Sequence, residues 1–367
     1  MTLKQTITHN LLNIPGWHTK RHIVVFESDD WGAIRMPSKE VYEKLLSEGY
    51  RVDENIYERN DSLAREDDLI ALFEVLRKFK DKNGNSPIIT ANCAVANPDF
   101  EKIKANDYRH YYYEPFIETL KRYKGCEHSF NLWKQGMEEG LFKPQFHARE
   151  HLNVARWMHD LQNNIADARY VFDYGLMGLF PKKHSNNFYQ VALDDSKYQL
   201  QPLNEVVSEG LDLFENIFGF KSKTFIAPCY TWRSELEKTL LEKGVIGLQG
   251  VVYQRKPNDK SVRHYMGTQN KYGQVFTIRN CSFEPVNGLD KNYCLNRMKY
   301  AFRWNKPAVI STHRINFIGA INEQNRIKNL KQLDALLSEM ITTWPDVEFM
   351  TSDQLVEQII RSKQIKK

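Results

Sequence analysis

Phe26-Glu27-Ser28-Asp29-Asp30-Trp31-Gly32 closes an apolar run, Ile23-Val24-Val25-Phe26, whose short length and β-branched residues mark a buried strand. A strand that runs into two adjacent carboxylates and a glycine brings both acids to the carboxyl edge of a sheet, where α/β folds bind their ligands. Adjacent carboxylates repel unless a cation lies between them or one keeps a proton. A divalent metal held by one acid, with a water facing the other, relieves that repulsion. The competing reading is ordinary loop chemistry, an Asp-Asp-x-Gly turn whose aspartate caps the following helix.

Outward from this stretch, apolar residues at helical spacing predict helices over 38–49, 65–80, 130–139, 203–218, 234–242, 291–304, 323–342 and 352–360, with another from Leu152 onward. Between them lie strand candidates at 87–92, 142–146, 223–228, 274–278, 308–312 and 347–350, and the glycine-rich run 244–253. Strands alternating with helices along the whole chain predict a mainly parallel sheet. No internal repeat or low-complexity linker divides the sequence, so one elaborated domain over 1–367 is expected, with insertions near 97–140 and 165–215.

Composition narrows the function classes. The 367 residues are 41% hydrophobic and 26% charged, as in ordinary globular proteins. The 51 Lys and Arg nearly match the 46 Asp and Glu. Apart from the tail Arg361-Ser-Lys-Gln-Ile-Lys-Lys367, the charges are interspersed, which argues against nucleic acid as a partner. Five cysteines without a C-x-x-C pair fit a reducing compartment. The first ten residues lack a secretory apolar core, and no run reaches the ~20 apolar residues of a membrane span. A cytoplasmic protein without an integral membrane segment is expected. The oligomeric state is not legible.

Three further side chains fall at strand ends. His147 and His151 follow the candidate at 142–146 and are spaced i, i+4; on a helix both rings would face one metal. His313 follows Ala308-Val309-Ile310-Ser311-Thr312. A surface pair and a half-buried backbone-bonded histidine are the bland alternatives. In a parallel barrel, however, such ends gather in one mouth. One Asp with two His is a three-ligand set for catalytic Zn²⁺, leaving one Asp and one His as base and acid for metal-assisted hydrolysis.

The series Ser28-Asp29-Asp30-Trp31-Gly32, His147-x-x-x-His151, Ala227-Pro228-Cys229-Tyr230 and Ser311-Thr312-His313 resembles the polysaccharide deacetylase family, carbohydrate esterase family four. The resemblance implies an irregular (β/α) barrel of about seven strands, with long inserted loops at the carboxyl edge. It implies Asp29 as base, Asp30, His147 and His151 as ligands of a divalent metal, Zn²⁺ preferred, and His313 as general acid. Tyr230 and Trp232 are candidates for the sugar pocket, and a backbone N–H near Tyr230 for the oxyanion. Trp31 interrupts the family's Asp-Asp-Gly pattern, and Ala148 stands where Ser or Thr is usual. Ile226 occupies the position of the arginine that should hold the base, so either Arg149 or Arg233 substitutes or the base is weaker. The partner that orients His313 is not identifiable from sequence.

The expectation is a metal-dependent hydrolase removing acetyl groups from an N- or O-acetylated sugar or polysaccharide precursor. Two alternatives stand beside it: a glycoside hydrolase on a related barrel, which needs two carboxylates across a cleft, and a non-catalytic carbohydrate-binding barrel.

Overall fold

The computed structural model describes residues 3–165, 167–179, 188–194, 198, 200–257 and 261–365. Parts of the insertion expected at 165–215 (166, 180–187, 195–197 and 199) and the last two residues of the basic tail lie outside the described residues. In chain order the strands are β1 (Ile23–Trp31), β2 (Ile89–Ala94), β3 (Ala96–Pro98), β4 (Tyr113–Pro115), β5 (Phe142–Ala148), β6 (Thr224–Phe225), β7 (Gly247–Gly250), β8 (Tyr253–Arg255), β9 (Ser261–Arg263), β10 (Val275–Ile278), β11 (Cys281–Ser282), β12 (Ala308–His313) and β13 (Glu348–Phe349).

Among the described residues, nine strands form one sheet in the order β10-β7-β6-β5-β2-β1-β12-β11, with β13 beside the start of β1. Every pairing within it is parallel. All residues of β1 and β2 are buried, as expected of parallel strands covered on both faces. The two outer strands of the order, β10 and β11, are separated in the chain only by Arg279 and Asn280. The Arg279 amide donates to Gly250 O of β7 (2.8 Å) and the Asn280 amide to Val309 O of β12 (3.2 Å). Residues 275–282 are therefore one extended segment that pairs first with β7 and then with β12, joining the two edges into a barrel-like ring. Counted that way the ring has seven staves, with β13 as a short addition.

Helices cover the outside. Leu203–Phe218 lies so close to β5 that a Cβ on Gly210 would stand 2.8 Å from the Phe146 ring. Ser129–Glu138 presses Trp133 onto Phe142 and Trp31, with ring centroids 5.0 and 5.9 Å away. The antiparallel pair β3–β4 and the helices Phe100–Ala105 and Phe116–Leu120 form an excursion above the carboxyl edge of the sheet. No helix among the described residues is long and apolar enough to cross a membrane.

Candidate metal and catalytic centre

Successive residues of a regular strand point to opposite faces, so two neighbouring aspartates would not normally share a site. A bulge makes them do so. β1 and β2 pair at Ser28–Ala91 and again at Trp31–Cys93, leaving Asp29 and Asp30 opposite the single residue Asn92. Asp30 takes a left-handed backbone, φ +71°, which turns its carboxylate to the side Asp29 already faces. Gly32 follows at φ +80°, where a Cβ would meet Ala94 O at 2.3 Å, so only glycine fits. Trp31 folds back on the turn. Its Nε1–H donates to Ser28 Oγ (2.9 Å), and its ring lies edge-on to Phe142.

Asp30 meets both histidines. Its Oδ1 lies 3.7 Å from His147 Nε2 and 3.2 Å from His151 Nε2, and one ligand atom from each of the three lies within 4.8 Å of the others. The i, i+4 spacing does not act through a helix. His147 belongs to strand β5 and His151 to the loop before the helix Val154–Gln162, and the bend of that loop returns the second ring to within 4.9 Å of the first. Ile226 O, at 2.8 Å, accepts from His147 Nδ1, which fixes the tautomer and turns the Nε2 lone pair toward Asp30. Arg35 holds the other oxygen of Asp30 at 3.2 Å.

These residues fit a divalent cation. His147 Nε2 is buried and beyond hydrogen-bond reach of any partner among the described residues. The buried carboxylates of Glu27, Asp29, Asp30, Asp61 and Glu284 outnumber the guanidinia of Arg35, Arg279 and Arg314 around them. Two imidazoles with one carboxylate match the donors of a three-ligand zinc site. Burial works to raise the Asp30 pKa, but His151, Arg35 and His147 overrule it and hold the carboxyl well below its usual range. Burial lowers the His151 pKa, favouring the neutral ring that ligates metal.

Asp29 is held differently. Arg279 forks onto it, Nη1 to Oδ2 at 2.6 Å and Nη2 to Oδ1 at 2.7 Å, while the Arg279 Nε–H donates to Glu27 Oε2 at 2.7 Å. Asn92 Nδ2 adds a bond to Asp29 Oδ1 (2.8 Å). Burial would raise the Asp29 pKa; the Arg279 charge and hydrogen bonds bring it down to about 2. His313 stands opposite Asp29 in the β1–β12 register, its Nε2 3.9 Å from Asp29 Oδ2. Its Nδ1 lies 2.5 Å from Glu284 Oε1, and the other Glu284 oxygen accepts from Asn316 Nδ2 at 2.5 Å. Burial alone would lower the His313 pKa, but Glu284 and the two aspartates push it well above the usual imidazole range.

Asp29, Asp30, His147, His151 and His313 thus converge, and four other expectations are corrected. Arg149 turns away from Asp29: its guanidinium binds Glu150 (2.7 Å) and Glu209 (2.5 Å) and lies over the Tyr113 ring. Arg233 is exposed, and the guanidinium on Asp29 belongs to Arg279. Trp232 is buried in the core edge-on to Phe225, its Nε1 on Glu237, and does not line the site. The Tyr230 amide already donates to Ala227 O (2.9 Å), so it offers the site only its phenol, 3.3 Å from Arg279 Nη1.

Sequence reasoning missed Arg279, Glu284, Asn92 and Arg35. A weak signal existed for the first, since Arg279 directly follows a strand candidate and shares the parity of Thr277. Nothing local marks Glu284.

No protein-family model matches this sequence, nor does any curated protein. Among solved structures the fold is similar to that of a 4-alpha-glucanotransferase from Thermococcus litoralis (TM-score 0.45, 11% identity), with 92% of this chain aligned to 40% of that one. It is also similar to a protein assigned as a polysaccharide deacetylase from Mycobacterium smegmatis (TM-score 0.43, 11% identity, 95% and 94% of the two chains). A peptidoglycan deacetylase from Bacillus subtilis aligns at TM-score 0.38 and 10% identity over 94% of this chain and 95% of that one. Likenesses this distant carry no argument about chemistry, which rests on the residues themselves.

Proposed function

We propose that this protein is a metal-dependent deacetylase acting on an acetylated sugar. The observation that carries the reading is the division of labour between adjacent aspartates: Asp30 faces the Nε2 atoms of two histidines, that of His147 orphaned, while Asp29 faces His313 across 3.9 Å. A divalent cation held by Asp30, His147 and His151, Zn²⁺ by its donor set, would supply Lewis acidity toward the acyl carbonyl and lower the pKa of water. Asp29 orients the attacking water and takes its proton; the Arg279 fork fixes its direction at the expense of basicity. Glu284 keeps a proton on His313, so that Nε2–H can be passed to the departing amine or alcohol. Arg35 keeps the second oxygen of Asp30 turned from the histidines.

The test is hydrolysis of a chromogenic acetyl ester by the purified protein, with and without chelator. Turnover that chelation abolishes and metal restores is expected. Asp29→Asn should lose at least about 10²-fold in rate while retaining its metal. Chelator-insensitive cleavage of a glycosidic bond, or no turnover with metal bound, would replace this reading by one of its rivals.

A further inference from the structure

Below the level of Asp29 the interior of the ring is polar. Asp29, His147 and Arg279 face inward, and strand alternation places Glu27, Gln145 and Thr277 on the same side two residues earlier. Asn92 and Gln145 are register partners, as are Gln249 and Thr277. All four are at most 1% exposed. Each carries a buried atom with no hydrogen-bond partner among the described residues: Asn92 Oδ1, Gln145 Nε2, Gln249 Oε1 and Thr277 Oγ1.

The amide orientations are not free to be reversed. Gln145 Oε1 accepts from the Lys223 and Thr224 amides at 3.0 and 2.8 Å, so Nε2 must be the atom left over. The Thr224 hydroxyl donates to that same Oε1 (3.0 Å) and therefore accepts from Gln249 Nε2 (2.8 Å), leaving Gln249 Oε1 without a donor. Asn92 commits its Nδ2 to Asp29, which leaves Oδ1. An unpaired polar group costs free energy when buried, and four in two adjoining pairs, on β2–β5 and on β7–β10 with only β6 between, are not a scatter of defects.

We propose that the ring interior beneath Asp29 binds a cluster of structural water molecules on Asn92, Gln145, Gln249 and Thr277. The mixture of groups selects the ligand. A metal cation would meet the Gln145 amide hydrogens and the nearby Arg279 charge, and an anion would meet the carbonyls of Asn92 and Gln249. Water both accepts from Gln145 and donates to the two carbonyls, with the Thr277 hydroxyl turning to suit. By saturating Asn92 Oδ1, the cluster holds that amide in the orientation that gives Nδ2 to Asp29.

Two measurements test this without reference to any enzymatic activity. A crystal structure at a resolution that shows ordered solvent should place water within hydrogen-bond distance of at least three of the four atoms. A dry interior, with the amides turned onto one another, overturns the proposal. Thr277→Val gives an independent sign. If water is bound there, losing the hydroxyl lowers the melting temperature by roughly 1–3 °C. In a dry interior the same change removes an unsatisfied group and raises it, which would also overturn the proposal.

Discussion

Asp29 and Asp30 are neighbours in sequence, equally buried, and opposite in circumstance. The partners of the Asp29 oxygens themselves are complete within the protein: a two-pronged guanidinium, an amide and, behind them, Glu27 sharing the same arginine. The surroundings of Asp30 are not, because the imidazole aimed at it from β5 has a nitrogen with nothing to bind. A carboxylate whose oxygens are both paired is built for fixed geometry, whereas a carboxylate faced by a buried, unpaired imidazole nitrogen is built for a guest. The bulge on β1 puts the two kinds of environment side by side, a necessary arrangement if one carboxylate is to act on what the other helps to hold.

That contrast can be broken from either side. The largest effect on folding is expected from Arg279→Met, which strands Asp29 and Glu27 as unpaired buried carboxylates and should cost about 3–5 kcal/mol in denaturant unfolding. Loss well below that range would mean the clamp is not the closed unit its geometry describes. On the Asp30 side, Zn²⁺ at a hundred times its dissociation constant should stabilise the wild type by about 2.7 kcal/mol. The gain should vanish in His151→Ala and persist in Asp29→Asn, as read by thermal melts with and without metal. A gain that His151→Ala keeps would place the cation elsewhere.

The smallest effect concerns His313. Its folded pKa stands above the unfolded value of about 6.5, so its pairing with Glu284 stabilises the fold fully below that pH and fades as pH rises through the raised pKa. Glu284→Gln should weaken that alkaline loss of stability. In a pH–rate profile it should also move the alkaline limb to lower pH. An unchanged limb would remove His313 from the role of acid.

Much of the frame was readable because it depends on local pattern. The apolar run before Asp29 and the periodicity of 203–218 correspond to β1 and to the helix Leu203–Phe218, and the convergence of strand ends follows once the sheet is parallel. The histidine pair was found by a wrong argument: four-residue spacing suggested one helix face, while the structure uses a strand end and a loop. What could not be read depends on register across long separations. Arg279 reaches Asp29 only because 275–282 straddles β7 and β12, and Glu284 reaches His313 through a turn that no periodicity announces. The corrections to Arg149 and Trp232 have the same origin, since sequence distance from a motif does not tell which way a side chain faces.

The segment 275–282 does two jobs at once. The stretch that fastens the final stave of the barrel is also the one that carries the arginine gripping Asp29, so shape and chemistry share a single latch. Cleaving or lengthening the chain between β10 and β11 would unhoop the cylinder and disarm the aspartate in one stroke. A partly assembled barrel could therefore offer its histidines to a metal before it could put that aspartate to use.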